Sequence, residues 1–181
     1  HANRRIRQAL PDGTTTVLAG SGVVGTADGV GTLASFNEVK GVAVDSVGNV
    51  FVADFAAHQI RKITPTGVVT TFAGSGSAGS TNGTGTAATF NQPFGLAIDS
   101  SNNLYVGENS GHRVRKVTPS GVVTTLAGSG TAASVDGKGT GASLYSPIGL
   151  GVALDGTVYV AEYSAHKIRK ITPTGVVTTL A

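Results

Sequence analysis

GVAVDSVGNVFVADFAAHQIRKITPTGVVTTFAG, residues 41–74, returns as GLAIDSSNNLYVGENSGHRVRKVTPSGVVTTLAG at residues 95–128 and as GLGVALDGTVYVAEYSAHKIRKITPTGVVTTLA at residues 149–181. The spacing is 54 residues, with no insertion or deletion. A fixed period of this length marks a repeat architecture and outranks any local reading of the chain. The opening stretch NRRIRQALPDGTTTVLAG keeps the same register, since Pro11 and Gly20 lie one period before Pro65 and Gly74. The array therefore opens in mid-unit.

Each copy holds four short apolar runs, at 41–45, 49–54, 59–63 and 68–73 in the first, each about the length of a mean strand. Between them lie Ser46-Val47-Gly48-Asn49, Ala56-Ala57-His58 and Thr64-Pro65-Thr66-Gly67. Proline at the second turn position with a later glycine suits a tight reversal. The reading is all-β: four-stranded antiparallel blades, about three and a half in this chain. Residues 1–20 are a half blade of third and fourth strands. Blades at 41–74, 95–128 and 149–181 alternate with linkers at 21–40, 75–94 and 129–148. The linkers are rich in Gly, Ser and Thr, with an apolar anchor recurring at Phe36, Phe90 and Leu144. Their composition gives them little capacity for a core, and Gly74-Ser75-Gly76 reads as a flexible connection.

A lone meander is too small to be stable, and its strands are apolar on both faces, as Val50, Phe51 and Val52 show in succession. Stacking of like units covers both faces, which predicts a propeller-type array over a β-solenoid.

The runs NVFVADFAAHQIRKITPTGVVTTFAG, NLYVGENSGHRVRKVTPSGVVTTLAG and TVYVAEYSAHKIRKITPTGVVTTLA resemble NHL repeats, whose pattern is a hydrophobic strand ending in an acid, an Asn/His-Arg-Ile turn and a glycine-terminated hairpin. The resemblance covers the chain apart from the linkers. It implies a β-propeller and leaves function open, because NHL propellers include enzymes, RNA binders, sensors and adhesion modules. The long linkers look like those of secreted or surface-exposed NHL proteins, which implies an extracellular or cell-surface location.

Composition narrows the chemistry. The absence of Cys excludes disulfides and thiolate metal sites. No apolar run reaches the roughly 20 residues of a membrane span. The chain begins at His1 and holds no Met, so the expectation is that any initiator or signal peptide lies outside it. A net charge of +3 permits an anionic partner without demanding one.

The most conspicuous polar set is Asp54, His58 and Arg61, repeated as Glu108, His112, Arg115 and as Glu162, His166, Arg169, with Arg4 in the histidine position of the half blade. Acid, imidazole and guanidinium across one hairpin could be read as acid–base machinery. A catalytic centre is one place in a fold, whereas this set recurs in every blade, so the expected role is a structural polar staple within or between blades. Three histidines at equal height on separate blades cannot share an ion that needs ligands within about 2 Å. No catalytic residue, metal ligand or cofactor site is assigned.

Eleven of the thirteen basic residues fall in third-strand segments, at Arg4, Arg5, Arg7, Arg61, Lys62, Arg113, Arg115, Lys116, Lys167, Arg169 and Lys170. Such a stripe could track phosphates, but it has no interleaved aromatics for base stacking, which argues against nucleic acid. Asp28, Asn82 and Asp136 open the linker motifs Asp28-Gly29-Val30-Gly31, Asn82-Gly83-Thr84-Gly85 and Asp136-Gly137-Lys138-Gly139, with too few carboxylates for calcium; each is expected to cap its own turn. Asn82 also opens a glycosylation sequon.

Three periods with 19 residues over cannot close a ring alone. The expected partners are other copies of the chain or the rest of a longer propeller, with protein or glycan ligands on the linker rim. The reading is a non-catalytic module for protein binding or self-assembly into a ring or filament. The alternatives are an NHL-type lyase or hydrolase fragment and an RNA-binding propeller.

Overall fold

The computed structural model describes residues 3–181; residues 1 and 2 of the expected half blade lie outside the described residues. Every turn predicted above closes a hairpin. The half blade is β1 (Ile6–Ala9) and β2 (Thr15–Ala19). The first full blade is β4 (Val39–Val44), β5 (Val50–Asp54), β6 (Gln59–Ile63) and β7 (Val68–Ala73), each antiparallel to the next. The second is β9 (Pro93–Ile98), β10 (Leu104–Glu108), β11 (Arg113–Val117) and β12 (Val122–Ala127), and the third β14 (Pro147–Val152), β15 (Val158–Glu162), β16 (Lys167–Ile171) and β17 (Val176–Thr179). The first strands start two residues earlier than the expected boundaries at 41, 95 and 149. In β1–β2, Arg7 pairs with Val17 after a register shift at Ile6, as Arg61 pairs with Thr71 after a shift at Ile60. The half blade thus keeps the geometry of a full one.

The linkers depart from expectation. Each contributes a two-residue strand, β3 (Gly29–Val30), β8 (Gly83–Thr84) and β13 (Gly137–Lys138), to the outer edge of the blade that follows, so each blade sheet is five-stranded. A single 3-10 turn comes next in each. The Gly74-Ser75-Gly76 segment is pinned, not flexible: Gly74 donates to the Gly85 carbonyl at 3.1 Å and Ser75 to that of Ala88 at 2.9 Å. Backbone groups in a glycine-rich segment need partners as much as any others, and here the linker's own 3-10 turn, itself tied to the blade by the Gly85 amide and the Gly121 carbonyl, supplies them.

The linker then passes between blades. Phe36 is fully buried with Ile6 and Ala19 of the half blade on one side and Val52, Ile63 and Val69 on the other. Phe90 and Leu144 fill the same position at the next two junctions. Burying a side chain of this size contributes roughly 1.5–3 kcal/mol. The first strands β4, β9 and β14 lie side by side. They approach so closely that a Cβ on Gly41 would strike the carbonyl of Phe94, and one on Gly95 that of Ile148. The result is a propeller-like stack.

Candidate functional site

Two layers of polar chemistry sit on this frame. The lower one is the repeated set. In each blade the acid at the end of the second strand meets the arginine of the third: Arg61 Nη1 lies 3.5 Å from Asp54, Arg115 Nη1 3.4 Å from Glu108, and Arg169 Nη1 3.0 Å from Glu162, all with side chains at 0% exposure. The linker supplies further partners to the terminal nitrogens, while the buried Nε of Arg61, Arg115 and Arg169 has none. Arg61 donates to the carbonyls of Ser35 and Ala27 and to Asp28 at 2.6 Å, while Asp54 accepts the amides of Asn37 and Glu38. In the third blade Asp136 takes the role of Asp28, and in the second the neutral Asn82 Oδ1 accepts from Arg115 at 2.8 Å. These linker residues bind the arginine and do not cap their own turns. The guanidinium of Arg61 also stacks over Phe36 at 5.4 Å, and that of Arg115 over Phe90 at 5.5 Å.

Burial dominates the electrostatics of this layer, since charge is disfavoured away from water. It pushes the Glu108 carboxyl up to about 7 against the pull of Arg115, and it raises Asp54. The same burial lowers Arg115. A raised carboxyl can signal a general acid. Here Asp54 and Glu108 are both fully buried under a linker, out of contact with solvent.

Histidine does not join the acid and arginine. His58 is the left-handed residue, φ 56°, that ends the 3-10 turn Phe55–Ala57, and its Nδ1 accepts the backbone amide of Gln92 in the next linker at 3.1 Å. His112 accepts the amide of Ser146 at 3.2 Å in the same way. The repeated set therefore forms two devices: an acid–arginine clamp within each blade and its linker, and a histidine tie between blades made by His58 and His112. His166 is exposed at the end of the series. Of the basic stripe, Arg61, Arg115 and Arg169 are consumed by the clamps, and Lys62 and Lys116 lie over the rings of Phe51 and Tyr105. Among the described residues, no group of three or more His, Asp or Glu side chains is placed to hold a metal ion.

The upper layer was missed in the sequence, although a column-by-column comparison of the copies would have found it. From the third strand to the end of the fourth the copies are nearly identical; non-conservative changes fall in the linkers, in the turn between the first two strands, and in the segments that flank the start of the first strand and the end of the second. These flanking segments are brought together at one end of each blade by backbone bonds from Phe55 to Glu38, Asn109 to Gln92 and Tyr163 to Ser146, at 2.8–3.0 Å. They form a rim. At the first junction Lys40 Nζ lies 2.6 Å from Glu38 and 5.1 and 5.4 Å from the rings of Phe55 and Phe94, which meet edge to face at 5.9 Å. The second blade presents amides and a hydroxyl, with Gln92 Oε1 accepting from Asn109 and Ser110. In the third, Tyr163 is 67% exposed and Tyr145 37%. A shared scaffold thus holds side chains that differ from blade to blade, on loops fixed by rigid elements. The rim offers aromatic, amide and hydroxyl groups for non-covalent contact.

Known proteins agree with this frame. The NHL repeat family matches residues 90–117, which span the end of one linker and the first three strands of the second blade. The Arabidopsis thaliana protein SUPPRESSOR OF QUENCHING 1, chloroplastic, is 28% identical over 172 residues, covering 88% of this chain and 16% of that protein. NHL repeat-containing protein 2 of Bos taurus is 38% identical over 95 residues, covering 50% and 13%. The chain spans less than a fifth of the length of these relatives. Among solved structures, a protein of unknown function from Bacteroides thetaiotaomicron matches with a TM-score of 0.75 at 24% identity, over 98% of this chain and 43% of that one. A streptogramin B lyase matches at 0.62 and 15% identity, over 98% and 48%. The fold is thus shared with at least one enzyme, and at these identities the likeness speaks to fold alone.

Proposed function

We propose that this chain, an array of NHL repeats in a propeller-like fold, is a non-catalytic module that binds protein through the rim carrying Phe55, Phe94, Tyr145 and Tyr163. The observation that carries the reading is the division of labour among its polar groups. Those that repeat are spent on internal clamps and ties; among those that differ between blades, the ones at 37–38 and 55–56 and their equivalents meet at one edge. Aromatic and amide side chains on preset backbone lose little freedom on binding, which favours recognition of a partner surface. The open faces of the outermost blades support a second part of the same reading, that the module works stacked against further blades. An extracellular or cell-surface setting belongs to the proposal as well and rests on the linker composition.

The test is selection of a displayed random peptide library on the chain, followed by binding to a Phe55→Ser, Tyr163→Ser double variant with unchanged thermal stability. Enriched peptides that lose affinity for the variant support the reading. Failure to enrich any rim-dependent peptide, or turnover of a streptogramin B or a sugar lactone by the chain, overturns it.

A further inference from the structure

Arg4, His58 and His112 occupy one position of the repeat, and all three have left-handed backbone, with φ of 43°, 56° and 51°. The same backbone thus delivers a side chain to the facing linker three times, once as a donor and twice as an acceptor. The facing peptide answers in two ways. Opposite His112, the Ser146 amide donates to Nδ1 at 3.2 Å, and Ser146 is itself left-handed, φ 52°. Opposite Arg4 the peptide is turned over: the Asn37 carbonyl accepts from Nε at 3.0 Å, Glu38 is not left-handed, and its amide goes to Asp54 at 2.9 Å. A carboxylate to receive the Ser146 amide in that second form is already in place, since Glu162 Oε1 accepts the Tyr145 amide at 2.6 Å as Asp54 accepts that of Asn37. The rim bond is common to both forms, from Phe55 to the Glu38 carbonyl at 2.8 Å and from Tyr163 to that of Ser146 at 3.0 Å. The side chain on display differs. Glu38 stands on the rim, paired with Lys40 and 34% exposed, whereas Ser146 is buried, with its Oγ 3.1 Å from that of Ser164.

We infer that His112 is a proton-operated switch for the rim: protonation makes its Nδ1 a donor and turns the Tyr145–Ser146 peptide over into the form seen at Asn37–Glu38. The added proton takes the lone pair that receives the Ser146 amide, and two donors cannot share one line. The Tyr145 carbonyl then faces the imidazolium and the Ser146 amide goes to Glu162. Ser146 also leaves the left-handed region, which is sparsely populated by residues other than glycine. Tyr145, whose ring meets that of His112 edge to face at 5.6 Å, is re-aimed with its peptide. The groups that bear on the imidazole are Arg113 beside it in sequence, which turns its guanidinium to the carbonyls of Gly111 and Ser129, and the Tyr145 phenol from the facing linker. Glu108 with Arg115, and Glu162 with Arg169, are engaged in the clamps of the two blades. Burial, with Arg113 adding to it, holds His112 below its ordinary value, which sets the switch on the acid side of neutrality. The inference rests on the rim reading above, to which it adds the regulation of that same surface.

The test follows the backbone and Cβ shifts of the isotope-labelled chain by NMR through the titration of the His112 ring. Ser146 should lose its left-handed signature with the same midpoint as the imidazole. His112→Asn is the control, because Asn Oδ1 stands where Nδ1 does, accepts the left-handed backbone and takes up no proton in this range. In that variant Ser146 should stay left-handed throughout, and in His112→Arg it should be turned over at neutral pH. Peptides selected on the rim at neutral pH should bind about fivefold or more weakly once His112 is protonated, the low end of ordinary coupling between sites. That loss is measured in a His58→Asn background, where the other tie does not titrate, and should vanish when His112→Asn is added. A Ser146 that stays left-handed through the His112 titration, or an Asn variant that shows the same transition, overturns the switch. Equal affinity of the selected peptides for both protonation states overturns its control of the rim. Turnover of Ser146 in a chain that selects no rim peptide supports the switch and removes the rim reading alone, so the two fail separately.

Discussion

His58 Nδ1 takes the backbone amide of Gln92 across the junction between two blades, at 3.1 Å. The half blade shows what this bond demands. There Arg4, a donor, stands where the histidine would, and its Nε donates to the Asn37 carbonyl at 3.0 Å. Gln92 and Ser146, which give their amides to histidines, have φ of 57° and 52°, whereas the equivalent Glu38 is not left-handed and turns its amide to Asp54. An acceptor in one blade and a donor in another select opposite orientations of the facing peptide. A His58→Arg variant should therefore flip the peptide at Asn91–Gln92, checked by the backbone shifts of Gln92, at a cost of about 1 kcal/mol, a typical net hydrogen bond.

Protonation of His112 removes the acceptor for Ser146. Burial, with Arg113 adding to it, holds this imidazole below its ordinary value. The unfolded chain then binds more protons, so this contribution is complete above the unfolded value near 6.5 and is lost as pH falls through the folded one. Urea midpoints of His112→Ala should fall less than those of the wild type between pH 7 and pH 5.

Glu108 acts with the opposite sign. Raised from 4.5 to about 7, it keeps its proton in the fold where the unfolded chain has lost it. Its contribution is present below the unfolded value and disappears as pH rises from 4.5 to 7. Glu108→Gln should flatten that part of the stability profile in chemical denaturation.

Breaking a clamp should cost far more than breaking a tie. Arg61→Leu leaves Asp54 buried without its counter-charge, a loss of about 3–5 kcal/mol for a pair of this kind. Arg61→Leu with Asp54→Leu should lose less than the sum of the single changes. Asn82→Asp recreates in the second blade the 2.6 Å ion pair of Asp28 and Asp136. Asp28 and Asp136 are half exposed, so the gain should be about 0.2–1 kcal/mol and should vanish in molar salt.

Glycine equivalents should respond differently by position. Gly95→Ala would drive a Cβ into the Ile148 carbonyl of the neighbouring first strand, with a cost of about 1–3 kcal/mol or more. Gly149→Ala would meet only the Ala161 Cβ at 3.2 Å, because no other first strand lies against β14 on that side among the described residues. Thermal unfolding of the two variants should separate them clearly.

Exposure marks the same break in the array. Tyr159 and Ile168 are each 39% exposed, while Phe51 and Tyr105, and Ile60 and Val114, are buried at the same two positions in the earlier blades. What a residue contributes here depends on whether the next copy is present.

The 54-residue period, the four main strands and their turns were legible in the sequence, because apolar runs and turn residues act over a few neighbours and every copy repeats them. The aromatic wedge at Phe36 and Phe90 was visible for the same reason. The sequence also marked Asp54, His58 and Arg61 as one group, and only the tertiary structure divided them: the left-handed backbone at His58 aims its ring at the next blade, while Arg61 turns under its own linker. Likewise Gly29–Val30 carries no strand signal of its own and becomes a strand because β7 offers it an edge. Local propensity is a property of neighbouring residues, whereas the partner of a buried charge or an open backbone group is fixed by whatever the rest of the fold brings within hydrogen-bonding reach.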